Sequence, residues 1–247
     1  MHSFNSQSNY QITRFLDYPI PPMRSLVLLS GGLDSAVLLC DEAARGDVQP
    51  VYVGVGLSWE RAERDMIERF LTAMSREARI LPLATLSIDM RDVYPAAHWA
   101  LTGKPPAYHT PDEDVYLPGR NIILLGKAGV FAAAAGIGRL VLGTLDHNPF
   151  PDATPAFRAS MADALSKGLA HPLEIAAPYA RLGKAEVIRR GVALGVPLAL
   201  TLSCMNPGEG RPARHCGLCS KCRERHDAFI EAGLPDPTDY ADRRFVK

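Results

Sequence analysis

Apolar residues follow two alternating rhythms along the chain. Residues 25–30, SLVLLS, form a short continuous apolar run, the pattern of a parallel strand covered on both faces. A glycine turn follows, and Ala36-Val37-Leu38-Leu39-Cys40 predicts a helix continuing to Arg45. A second apolar run covers 48–57. Trp59, Ala62, Met66, Phe70 and Ala73 recur at spacings of three and four, which predicts an amphipathic helix over 59–75. Residues 79–88 read as a third strand, weakened by Pro82. Residues 89–118 are Pro-rich and irregular, and a stretch that long without structure is usually functional or mobile. An alanine-rich helix is predicted over 121–137, a buried strand over 139–144, helices over 155–168 and 183–194, and a late strand over 198–204. The alternation predicts an α/β fold with a doubly wound, mostly parallel sheet.

Composition narrows the class. Hydrophobic residues make up 47% and charged residues 22%, which suits a globular chain and excludes a disordered one. Lys plus Arg number 27 and Asp plus Glu number 27, so the formal net charge is zero. That argues against a stable nucleic-acid partner or a membrane surface held by bulk charge, and leaves room for a local anion pocket. No apolar run approaches the roughly 20 residues of a membrane span. The first 24 residues lack a basic segment followed by an apolar one and read as a polar extension, with Pro19, Pro21 and Pro22 near its end. The expected location is cytoplasmic and reducing, where five cysteines are metal ligands or core residues. The expected division is an extension over 1–24, an α/β domain over 25–200, and a cysteine-rich segment over 201–247 packed on the same domain.

The sharpest motif is Ser30-Gly31-Gly32-Leu33-Asp34-Ser35, between a strand and a helix start. Its glycines permit close backbone approach. Free amides and the helix dipole favour an anion there, and Ser30 and Ser35 add hydroxyl donors. The loop fits a phosphate or pyrophosphate. Asp34 in such a place either caps the helix or helps hold a cation such as Mg2+. No Gly-Lys-Ser/Thr closes the loop, so it is not a Walker A motif.

Four cysteines cluster with the spacing C-x11-C-x2-C-x2-C: Cys204, Cys216, Cys219 and Cys222. Four thiolates satisfy a tetrahedral Zn2+. An iron–sulfur cluster is the rival reading of the same spacing. Cys40, among Val37, Leu38 and Leu39, reads as a buried inert thiol.

The phosphate loop resembles that of the PP-loop ATP pyrophosphatases. Further motifs narrow the resemblance. Thr201-Leu202-Ser203-Cys204 with Cys216-Gly217-Leu218-Cys219-Ser220-Lys221-Cys222-Arg223, Pro118-Gly119-Arg120-Asn121, Leu182-Gly183-Lys184-Ala185-Glu186-Val187-Ile188, and Ala232-Gly233-Leu234-Pro235-Asp236-Pro237-Thr238 are similar to the 7-cyano-7-deazaguanine synthase (QueC/ExsB-like) family. The resemblance implies ATP-dependent conversion of 7-carboxy-7-deazaguanine and ammonia into the nitrile preQ0, a precursor of queuosine. It implies ATP held by Ser30, Gly31, Gly32, Leu33, Asp34 and Ser35, with Arg120 and Lys184 as cationic contacts for phosphate or substrate carboxylate. It implies structural Zn2+ on the four cysteines and a homodimer. Asp146 and Asp152 follow a predicted strand, where a purine-like edge or a cation would sit, though both also suit turn caps. His147, between them, reads as a loop residue. The chain departs from the family at Val55-Gly56-Leu57-Ser58-Trp59-Glu60 and at Phe150-Pro151-Asp152-Ala153-Thr154, both at carboxyl ends of strands.

Two other functions fit parts of the chain. A PP-loop enzyme acting on another small carboxylate, or thiolating tRNA, would share the loop. A non-catalytic zinc-ribbon module would use Arg211, Arg214, Lys221, Arg223 and Arg225 on nucleic acid, although Glu209 and Glu224 interrupt that run.

Overall fold

The computed structural model describes residues 24–245 except residues 147, 209 and 211. The 1–23 part of the expected extension, His147, Glu209 and Arg211 therefore lie outside the described residues. Five parallel strands form one sheet in the order β3-β2-β1-β4-β5: β1 (Ser25–Leu28), β2 (Val48–Gly54), β3 (Ala84–Ser87), β4 (Arg139–Val141) and β5 (Glu174–Ala176). Leu26 of β1 pairs with Gln49 on one side and Leu140 on the other. Among the described residues, seven helices accompany it: α1 (Leu33–Ala43), α2 (Glu60–Ala73), α3 (Trp99–Thr102), α4 (Arg120–Ala134), α5 (Pro155–Leu169), α6 (Lys184–Ala193) and α7 (Ser220–Ala232). The predicted doubly wound α/β class is the one observed.

The central strands β1, β2 and β4 are mostly apolar because both faces are covered. Leu26, Val51 and Leu140 pack with Leu125, Ala128 and Ala132 of α4. Val27, Tyr52 and Val141 pack with Val37 and Leu38 of α1 and with Val187 and Ile188 of α6. The order of strands reverses direction about β1, so the loops after β1 and β4 part from each other and leave a crevice at their carboxyl ends. Among the described residues, no helix is long and apolar enough to cross a membrane.

Several expectations need correction. The late strand over 198–204 is absent. Leu198–Leu200 is a 3-10 turn, and the segment after it runs extended across the phosphate loop, where Leu202 N–H donates to Gly31 O at 2.7 Å. It cannot join the sheet there because β2 and β4 already occupy both sides of β1. The third strand begins only at Ala84. Ile80 makes one isolated bridge to Val48, and Pro82, with no N–H to give, separates the two. Strand β5 offers no periodicity to read in the sequence, because only one of its three side chains is buried. The inward face of α2 carries Glu63, Met66, Ile67 and Phe70, while Ala73 is exposed.

The 89–118 stretch is not structureless. It contains α3 and a 3-10 turn at Asp112–Val115, and it buries Met90, Tyr94, Ala100, Val115 and Leu117 in the core. It is also tied to α7: Ser220 N–H donates to Pro106 O, and Arg223 donates to Tyr108 O and Thr110 O.

Candidate active site

A cavity of about 550 Å3 opens at the crevice beside β1 and β4. The phosphate loop forms its floor. Gly31 has φ +77°, and a Cβ there would meet Ile67 at 3.0 Å and Glu63 O at 3.2 Å, so α2 can lie against the loop only because residue 31 is glycine. Ser30 and Ser35 brace the turn through Oγ atoms 3.2 Å apart, and Ser35 Oγ donates to Gly32 O at 3.0 Å. Gly32 occupies the N-cap of α1 without a side-chain cap, leaving the amides of the first turn for a ligand.

Asp34 lies in the first turn of α1 and does not cap it. Its Oδ2 is 3.3 Å from Lys184 Nζ, while its buried Oδ1 has no partner. Burial raises the Asp34 carboxyl above the ordinary range, against the pull of the Lys184 charge. Lys184 opens α6, where a cation opposes the helix dipole. The compensation is visible: Glu224 of α7 takes its other side at 2.5 Å. Burial would lower Lys184, but the two carboxylates outweigh it and hold its pKa up.

Arg120 opens α4 after Gly119, which adopts φ +76°. It lines the cavity with its Nε buried and unpartnered. Opposite it, Glu63 is 7% exposed and accepts from Tyr52 Oη at 2.8 Å and Trp59 Nε1 at 2.9 Å. Burial raises the Glu63 carboxyl, and the Arg120 charge opposes the rise. Asp152 is buried and accepts the Asn121 N–H at 3.0 Å, which places it on the N-terminus of α4 at the cavity wall. Asp146 lies exposed at the rim.

Two aromatic pairs complete the walls. Trp59 and Trp99 stack with centroids 5.7 Å apart, and Tyr116 and Phe150 stack at 5.0 Å. Trp59 and Phe150 fall in the two segments that depart from the family pattern. Sequence reasoning missed Glu63, Trp99, Tyr116, Asn121 and Glu224 as cavity residues. Glu63 did leave a signal, an acid on the apolar face of a predicted helix; Trp99 and Tyr116 lay in a stretch without periodicity.

Cys204, Cys216, Cys219 and Cys222 converge behind this cavity, with all four sulfurs within 4.8 Å of one another. Individual separations are 3.5 Å (Cys219–Cys222) and 3.9 Å (Cys204–Cys219 and Cys216–Cys222). A tetrahedral ion with metal–sulfur arms near 2.3 Å needs sulfurs about 3.8 Å apart. The cluster therefore fits one such ion. An iron–sulfur cube, whose irons each take one thiolate, would need the sulfurs spread more widely. Backbone N–H groups of Asn206 and Cys216 donate to Cys204 Sγ, and that of Leu218 to Cys216 Sγ, fixing the sulfurs from outside. Gly217 has φ +77°, and a Cβ on it would lie 1.9 Å from Asp242 O.

Among the described residues, Arg214, Lys221, Arg223 and Arg225 each meet partners within the chain and do not form the free basic patch considered from sequence; Arg211 lies outside the described residues. Arg225 is fully buried, with Thr238 Oγ1, Thr201 Oγ1, Ser203 Oγ and Leu198 O as acceptors. Arg214 pairs with Asp239, Lys221 pairs with Glu224, and Arg223 donates to the carbonyls of Tyr108 and Thr110.

A family model described as queuosine biosynthesis protein QueC matches residues 24–233. The 7-cyano-7-deazaguanine synthase of Anaeromyxobacter dehalogenans (strain 2CP-C) is 35% identical over 229 residues, covering 88% of this chain and 96% of the relative. That of Azoarcus sp. (strain BH72) is 36% identical over 234 residues, covering 89% and 98%. Among solved structures, a 4-thiouridine synthetase–RNA complex with bound ATP superposes with a TM-score of 0.47 at 15% identity, over 87% of this chain and 51% of that one. The U34-tRNA thiolase NcsA from Methanococcus maripaludis, with its [4Fe-4S] cluster, gives a TM-score of 0.42 at 15% identity over 72% and 59%.

Proposed function

The chain belongs to the QueC family, and from that premise we propose how its cavity carries out the family's reaction, the ATP-dependent conversion of 7-carboxy-7-deazaguanine and ammonia to 7-cyano-7-deazaguanine. The observation that carries the residue assignments is the meeting of the Ser30–Ser35 loop, Lys184 and Arg120 around one cavity. The open amides of α1 and the loop hydroxyls receive the β- and γ-phosphates of ATP. Lys184 adds the charge-assisted contact. The unpartnered Oδ1 of Asp34 suits the Mg2+ that travels with the nucleotide.

A carboxylate resists amination because oxide is a poor leaving group. A carboxylate oxygen attacks the α-phosphorus of ATP and pyrophosphate leaves. The nitrogen of ammonia then attacks the acyl carbon, AMP leaves, a proton is lost and an amide results. The amide oxygen attacks the α-phosphorus of a second ATP, pyrophosphate leaves and one N–H proton is lost; loss of AMP and the second N–H proton then gives the nitrile. Arg120 holds the substrate carboxylate while its oxygen attacks. Asp146 and Asp152 contact the deazaguanine from the rim and wall. Cys204, Cys216, Cys219 and Cys222 would hold Zn2+, which would supply a fixed crosslink and not take part in the reaction. A cytoplasmic location and a homodimer accompany this reading, and light scattering on purified protein reports the oligomer.

The test uses purified protein with MgATP, ammonium and 7-carboxy-7-deazaguanine, read by mass spectrometry beside Asp34→Ala. Nitrile that falls at least a hundredfold in the variant is the expected result. AMP and pyrophosphate without nitrile would point to another acceptor carboxylate, and failure to bind ATP would overturn the reading.

A further inference from the structure

The N-terminal turns of α1, α6 and α7 are among those that line the cavity beside β1. Two of them carry a lysine in the first turn, Lys184 on α6 and Lys221 on α7. A cation there opposes the helix dipole and needs an anion to justify its place. That anion is Glu224, whose Oε1 lies 2.5 Å from Lys184 Nζ and whose Oε2 lies 2.6 Å from Lys221 Nζ. The two ammonium groups therefore stand within about 7 Å of each other, a span that one pyrophosphate group can bridge. Lys184, Lys221 and Glu224 all line the cavity and keep 13%, 27% and 24% of their side chains exposed, so the trio is set into the wall yet open to a ligand. Glu224 bridges the two like charges and so keeps them together.

We infer that Lys221, steered by Glu224, is a second phosphate-binding lysine, and that it and Lys184 grip the β,γ-phosphates of ATP and then the free pyrophosphate. The inference rests on the reading of this cavity as an ATP site. It makes α7, the helix that also carries Cys222, a wall of the phosphate site. Glu224 also repels the bound anion and so limits how long pyrophosphate stays after it is cleaved.

Titration calorimetry of inorganic pyrophosphate with Mg2+ into the zinc-loaded full chain tests this without any need for turnover. Zinc content per chain is read for each variant. Lys221→Met is expected to raise the Kd for pyrophosphate about tenfold, the loss of one charge-assisted hydrogen bond, and Lys221→Arg to stay within about threefold of the parent protein. Glu224→Gln, which keeps hydrogen bonding and removes the repelling charge, is expected to bind pyrophosphate severalfold more tightly. An unchanged Kd in Lys221→Met at full zinc content, equal losses in Lys221→Met and Lys221→Arg, or weaker binding in Glu224→Gln would each overturn the inference. If the parent protein binds neither ATP nor pyrophosphate, the ATP-site reading itself fails; if it binds both and Lys221→Met matches it, only the role of Lys221 fails.

Discussion

Single residues here are explained by what stands opposite them. Lys184 sits at a helix start that disfavours it, and Asp34 and Glu224 supply the reason. Gly217 sits where any side chain would strike Asp242 O, so Gly217→Ala is expected to cost about 3 kcal/mol through strain and overpacking. Chemical denaturation of the metal-loaded protein measures that loss, and a variant as stable as the parent would show that the 240–245 segment moves aside freely. Cys40 is 7% exposed, and burial pushes its thiol up to about 12. A thiol with a raised pKa stays protonated as the pH passes its unfolded value near 9, and its contribution to stability is lost only above that, as the pH approaches 12. Iodoacetamide at pH 8 is therefore expected to spare Cys40 in the folded protein. Peptide mapping checks this, and stoichiometric labelling of Cys40 would contradict it.

Among the elements, α7 joins the two ends of the site. One face carries Cys222 of the thiol cluster, another presents Lys221 and Glu224 to the cavity, and a third buries Arg225. Arg225 holds Leu198, Thr201, Ser203 and Thr238, and Leu202 between them closes on Gly31 of the phosphate loop. Its guanidinium also stands 5.4 Å from the Phe229 ring. Arg225→Met fills the space but leaves these acceptors unmatched. The expected cost is about 3 kcal/mol, together with weaker ATP binding because the loop loses its brace. Urea titration and ATP calorimetry read the two effects, and a variant with lower stability and unchanged ATP affinity would separate the brace from the loop. The 89–118 stretch teaches a related lesson. Its lack of periodicity hid a segment whose Tyr94, Ala100, Val115 and Leu117 are core residues, because short turns bury side chains without a repeating interval.

At the scale of the molecule, one hydrophobic cluster includes Leu26, Val51 and Leu140 of the sheet together with Cys204, Cys219 and Cys222, so the thiol cluster and the sheet share packing. Stripping metal with a chelator is expected to lower the Tm by about 10 °C or more and to weaken ATP binding, since ion binding and folding are one equilibrium at such a site. A calorimetric scan with and without chelator checks it, and an unchanged Tm would show that the thiols pack without an ion. The sequence by itself determined the class of sheet, through the unbroken apolar runs at 25–30 and 139–144, and it located the glycine loop and the four cysteines, because those features depend on residue type and local spacing alone. Tertiary structure decided the rest. It turned the 198–204 run from a strand into a strap, because the places beside β1 were taken. It made Glu63 and Glu224, distant in the chain from the loop, its neighbours in the cavity. It drew Arg225 out of an apparent basic patch into the interior. Spacing along a chain reports which face a residue shares with its near neighbours; which distant charge it meets depends on how the elements pack.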